Sequence, residues 1–183
     1  VLTGANLAGA DLNHSNLSSV KLTSTNLTDT NLTNADLTSV TSGGIIGIPT
    51  LSDPWQLISS YLLGPGANLY DADLADTSLT HMNLSGANLE STELNGADMS
   101  NTDLTGADLT EAYANLVTLT NANLSNGILV NAYLRDADLT NANLTNANLT
   151  DTYLGGVTWF NTTCPDGTNS NDNDGTCEDN LEF

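Results

Sequence analysis

Leucine returns at every fifth residue for most of the chain, at positions 2, 7, 12, 17, 22, 27, 32 and 37 and again from Leu69 to Leu154. Between the leucines the chain is polar. A small residue stands two places before most of them, as Ala5, Ala10, Ser15, Thr25, Thr30 and Ala35 do, and Asn or Asp commonly stands one before. A period of five is neither the 3.6 of an amphipathic helix nor the 2 of a half-buried strand. It calls for a repeat architecture, in which each unit buries its apolar residue only by stacking on its neighbours. Thr and Ser dominate the place after leucine, and β-branching at an exposed position there suits extended backbone.

Two stretches interrupt the pattern. Residues 41–66 carry Gly43-Gly44, Pro49 and Pro54, with Ile45, Ile46, Ile48 and Trp55 expected to fold onto the column. The leucine phase runs on through Leu57 and Leu62 and shifts by two residues at Gly64-Pro65-Gly66. This predicts one irregular coil followed by a two-residue bulge, not a separate domain. In the second block Ala114 replaces a leucine and leaves space in the stack, which Leu116 is expected to fill in part. From Val157 the repeat is abandoned. Trp159 and Phe160 are expected to lie over the last leucine layer, and residues 161–183 to form an acidic cap.

The A(N/D)LxX units, among them Ala35-Asp36-Leu37 and Ala142-Asn143-Leu144, resemble the pentapeptide-repeat family over nearly all of residues 1–160. That resemblance implies an all-β fold, a right-handed quadrilateral parallel β-helix. Four pentapeptides make one coil, and leucine and the small residue point inward. With layers about 4.8 Å apart, about seven to eight coils give a column roughly 35 Å long. The tail WFNTTCPDGTNS…DGTC resembles the endings of secreted bacterial members. About role the resemblance says little, because the family spans many.

Charge narrows the partners. Twenty-two acids face two bases, Lys21 and Arg135, for a net −20. Non-specific binding to nucleic acid or anionic lipid needs basic surface and is excluded. No apolar run approaches the length that spans a membrane. Cys164 and Cys177 lie close together in a polar tail, a placement that favours a disulfide over a metal or redox site and so an oxidising compartment. The chain opens at Val1 in mid-repeat, which reads as a mature or trimmed product. Export and an extracellular or cell-surface location are therefore expected.

At twenty-residue spacing the position before the leucine gives Asp73, Glu93, Tyr113, Tyr133 and Tyr153 in one predicted outward column. The tyrosines read as a stacked ladder that stabilises the sheet, or as an interaction surface. Asp71, Asp76, Glu90, Asp108 and Glu111 crowd beside that column, a solvated acidic surface or a site for a basic partner. Ser170-Asn171-Asp172-Asn173-Asp174-Gly175 resembles half of a calcium loop. It departs from it at Ser170 and at Leu181, so calcium on Asp172 and Asp174 stands against plain turn residues. Nothing supports catalysis: His14 and His81 are far apart, with no nucleophile constellation around them.

Two functions follow as expectations. The first is a non-enzymatic extracellular structural or protein-interaction solenoid that needs no cofactor. It would associate with proteins or with itself, end to end into filaments through an exposed coil edge. The second follows from the family resemblance, since some members imitate duplex DNA and bind type II topoisomerases in the cytoplasm. The column carries about one net negative charge per 2.5 Å, against about one per 1.7 Å for B-DNA.

Overall fold

A computed structural model describes residues 1–178 of the chain. Parallel bridges join residues twenty apart, for example Asn6 to Asn26, Asn68 to Asn88 to Asp108 to Ile128 to Asn148, and Asp73 to Glu93 to Tyr113 to Tyr133 to Tyr153. One bridge position every five residues and a return after twenty make a four-sided parallel β-solenoid. The backbone ladder is regular. Within the regular coils a leucine N–H donates to the carbonyl one coil on, as Leu104 does to Asn123 at 2.7 Å, and a bridge residue donates back, as Asp108 does to Ala87 at 2.9 Å.

Side-chain chemistry explains the repeat unit. Most of the leucines and of the small residues two before them are buried, Ala87, Ala97, Leu104 and Leu124 completely, while Leu2, Leu7 and Leu12 of the first coil are partly buried. The outward Asn or Asp accepts the N–H two residues on. Asp108 Oδ1 takes the Thr110 N–H at 3.0 Å and its hydroxyl at 2.6 Å. An Asx turn of this kind satisfies a donor that the ladder does not use. The place after leucine therefore lies in a turn, not in extended backbone as its β-branched residues suggested. The next residue adopts positive φ, at Asn121 (58°) and Asp136 (58°) among many, where Asn, Asp and Gly are tolerated best.

Where Thr replaces Ala at the small inward position, its hydroxyl turns to the backbone. Thr25, Thr30, Thr92, Thr102, Thr152 and Thr162 donate to the carbonyls of Leu2, Leu7, Leu69, Leu79, Leu129 and Leu139, at 2.7–2.9 Å. A buried hydroxyl is thereby satisfied one coil away, and layers are tied by side chain as well as by backbone.

The irregular coil is larger than its leucine phase indicated. Thr41 bridges Asn68, twenty-seven positions on, so the excess is seven residues and not two. They go into an antiparallel hairpin, β1 (Gln56–Ile58) and β2 (Tyr61–Leu63), in which Leu57 pairs with Leu62. Leu57 is only half-buried, whereas Leu62 and Leu63 are fully buried. Trp55 packs against the hydrophobic clusters on both sides of this coil. Ile45 is buried, but Ile46 and Ile48 are exposed. Ala114 is buried in its column, and Leu116 does not fill the space beside it, since its side chain faces solvent. Val117, buried where the adjoining coils carry Ala97 and Ala137, adds volume to that layer instead.

At the C-terminal end Trp159 is buried and Phe160 is exposed, so only the indole covers the last layer. The tail returns as a one-turn 3-10 helix, Ser170–Asp172, capped by Asn169. It is pinned by Ser170, whose N–H donates to the Thr162 carbonyl, whose Oγ accepts the Thr162 N–H, and whose hydroxyl bonds the Trp159 carbonyl. Cys164 and Cys177 form a disulfide. Asp179, Leu181 and Glu182 of the expected cap lie outside the described residues. Among the described residues no helix is long and apolar enough to cross a membrane.

Candidate functional site: the tyrosine column

The outward column forms as its spacing indicated. Tyr113 and Tyr133 stack with centroids 5.0 Å apart and planes 4° from parallel, Tyr133 and Tyr153 at 4.6 Å and 6°. The coil repeat sets this distance, because each ring is carried by a bridge residue directly over the next. Ring faces are consequently turned to one another, and the edges and hydroxyls are what the column exposes. The nearby Tyr153 phenol, then burial, then Tyr113 hold the Tyr133 hydroxyl above the usual tyrosine range, and Glu111 acts in the same direction. The Tyr133 phenol is therefore a neutral donor at neutral pH.

Asp73 and Glu93 continue the column, with Glu93 bridged to Tyr113 and its carboxylate accepting from the Asn95 amide at 3.1 Å. Asp108 occupies the adjoining face, directly before Ile128 in its bridge series. Asp71 donates its N–H to the Glu90 carbonyl at 3.1 Å, and Glu111 donates to Val130 at 2.9 Å, which stacks these residues along the corner between the two faces. Asp76 packs so closely under Gly96 that a Cβ there would meet its carboxylate. Glu93, Asp98, Asp103 and Asp108 fall on successive sides of one coil, giving each side an acid.

Two apolar neighbours escaped the column reading. Leu116 is 65% exposed and Ile128 40% exposed, beside Tyr113 at 40% and Tyr153 at 50%. Leu116 sits in a left-handed turn at φ 59°, where the other turns of the second block carry Asp, His, Gly, Ser, Asn or Glu. A bulky side chain pays a penalty of roughly 1–2 kcal/mol in that conformation. The signal in the sequence was the break of the turn rule at position 116.

The remaining candidates do not converge. His14 and His81 are separate exposed turn residues. Among the described residues no three His, Cys, Asp or Glu side chains gather as a metal-ligand set. Asp172 ends the 3-10 turn and Asp174 follows at φ 54°, while Ser170, at the first position of the calcium-loop pattern, is buried in its bonds to Trp159 and Thr162.

Comparison with known proteins places the repeat. The family described as Pentapeptide repeats matches in 8 copies, over residues 1–38, 67–106, 83–121 and 118–156. Comparison with curated protein sequences found no match. Solved structures similar to the chain include a pentapeptide repeat protein of the Arabidopsis thaliana thylakoid lumen, at 21% identity and TM-score 0.44 over 58% of this chain and 70% of that one. Another is HetL, a pentapeptide repeat protein involved in heterocyst differentiation regulation in the cyanobacterium Nostoc, at 22% identity and TM-score 0.34 over 92% of both chains. A third is QnrB1, a plasmid-mediated fluoroquinolone resistance protein, at 19% identity and TM-score 0.45 over 83% of this chain and 71% of that one. With more than half of its residues matched, the chain belongs to the pentapeptide-repeat family, and its four-sided solenoid is a right-handed β-helix.

Proposed function

We propose that this chain is a non-enzymatic, extracellular interaction solenoid of seven to eight coils, whose contact surface is the side that carries Tyr113, Tyr133 and Tyr153, flanked by Leu116 at the turn on one edge and by Ile128 on the adjoining side beyond the other. Leu116 carries the argument: a large apolar side chain is held exposed in a strained turn, and such positions persist where function repays the strain. The stacked tyrosines supply a rigid amphipathic edge at little conformational cost. Asp73, Glu93, Asp71, Asp76, Glu90, Asp108 and Glu111 form its acidic surround and favour a protein partner with basic groups at the rim. The Cys164–Cys177 disulfide supports an oxidising compartment.

The sharper form of the reading is self-assembly, with the tyrosine side making lateral contacts and coil edges meeting end to end. Its support is an open edge: among the described residues the N–H groups of Leu149, Leu154 and Gly156 have no hydrogen-bond partner. Such an edge is a template for pairing. Sedimentation velocity across a range of protein concentrations tests it. Association that rises with concentration and disappears in a Tyr113→Ser/Leu116→Ser/Tyr153→Ser variant agrees with the proposal. A monomer at every concentration rules out self-assembly.

A second reading is favoured by the coil whose four sides carry Glu93, Asp98, Asp103 and Asp108. Acid on every side suits a cytoplasmic DNA mimic that occupies the DNA site of a type II topoisomerase. Titration into a gyrase supercoiling assay decides that reading, with inhibition expected; full supercoiling at large excess ends it.

A further inference from the structure

The ladder of backbone hydrogen bonds is interrupted on several sides at the irregular coil, and on one of them the missing rung leaves a cleft. Leu32 donates to the Thr50 carbonyl at 2.8 Å and Ser39 to Gly66 at 2.7 Å. Between them, among the described residues, neither the Leu37 N–H nor the Ala35 carbonyl has a hydrogen-bond partner. Both belong to the side of the coil where Ser52–Trp55 swing out to start the hairpin. The space left is about 350 Å³, lined by Leu32, Leu37, Pro54 and Trp55 on its apolar side and by Asp36 and Asp53 on its acidic one. That volume lies at the lower end of the range for ligand pockets.

The coil above shows what would fit. Asp36 gives its N–H to the Ser15 carbonyl at 2.9 Å and takes the Leu17 N–H on its own carbonyl at 2.9 Å, so one residue closes both bonds of a rung. A residue doing the same for Ala35 and Leu37 would run parallel to the coil, with its side chain in the outward stack beneath Asp36. The following side chain would point inward, at Leu37 and Trp55. No base lines the cleft, so the outward position calls for a cation and the inward one for an apolar group.

We propose that this cleft binds an extended segment of a partner protein that carries a Lys or Arg followed by an apolar residue, which completes the missing rung by strand addition. The basic residue donates its backbone N–H to Ala35, accepts from Leu37, and places its charged head beside Asp36 and Asp53. Backbone bonds supply the affinity and the two side-chain positions supply the selectivity, as in other strand-addition sites. The N–H of Thr38 holds the Asp36 carboxyl below its ordinary range, and the Thr38 hydroxyl adds to this, so the acid is charged at neutral pH.

The test is an amide-resolved NMR titration of the full chain with acetyl-Ala-Lys-Leu-Ala-amide. Saturable shifts at Leu37 and Asp36, with slowed exchange of the Leu37 N–H, are the expected result. Asp36→Asn keeps the oxygen that accepts from Thr38, so it preserves the turn while removing the charge; it should weaken binding about tenfold. A peptide methylated on the lysine backbone nitrogen should not bind. Equal binding of a Glu-for-Lys peptide, shifts confined to other coils, or no saturable shift at Leu37 (the cleft then holding only water) would each overturn the proposal.

Discussion

Two after each leucine the backbone turns left-handed, and that single requirement selects Asn, Asp, Gly and Ser along the column. Leu116 breaks the rule, so Leu116→Asn should raise stability by about 1 kcal/mol while weakening any contact made by the tyrosine side. Urea unfolding beside sedimentation of the same variant checks both halves. The buried threonines make the opposite case. Thr102→Val keeps volume and removes the bond to the Leu79 carbonyl, and a shift of the urea midpoint worth about 1 kcal/mol is expected. Titration adds a third case. The Ser100 hydroxyl and then its N–H hold the Asp98 carboxyl below its ordinary 3.8, with His81 adding a small charge effect and burial opposing. The unfolded chain therefore takes up this proton first. The stability that Asp98 contributes is complete above 3.8 and is lost as pH falls through the depressed value. Asp98→Asn keeps the acceptor and removes the titration, so its unfolding midpoint should fall less than that of the parent between about pH 5 and about pH 2.

Among the elements, the regular coils were legible in the sequence because one leucine per five residues and one Asx per leucine suffice to specify them. The irregular coil was not. Its leucine phase through Leu57 and Leu62 mimicked the repeat, yet those residues pair in a hairpin, since close packing of Trp55 over Gly64 decides the path. Gly47 is equally constrained, because a Cβ there would run into Thr28 of the preceding coil at a φ of 79°. Gly47→Ala is expected to cost more than about 2 kcal/mol, read as a lowered midpoint in thermal unfolding. At the other end, the cap rests on the disulfide and on Ser170. Opening the Cys164–Cys177 bond by Cys→Ser replacement should remove about 2–4 kcal/mol from the cap. A solenoid frays from its ends, so the readout is a red shift of the buried Trp159 emission before the coils unfold.

For the whole molecule, the acidity that dominates the composition is in part structural, because each Asp of an Asx turn serves the fold as well as Asn does. This is why the tyrosine column could be placed from spacing while its role could not. Spacing fixes which residues stack, and a partner is read only from residues that depart from the repeat, Leu116 and Ile128 first. A net charge of −20 also opposes contact between copies. The screening length falls to about 8 Å at physiological salt, so self-association through the apolar side should strengthen as salt is added, whereas a contact made by basic partner residues should weaken. The most direct measurement of the central claim is sedimentation velocity of the native chain and of Tyr113→Ser/Leu116→Ser/Tyr153→Ser, each over a range of concentration and salt. The account predicts association of the native chain that grows with both variables and is absent in the variant. Identical monomeric behaviour of the two proteins under every condition would contradict it.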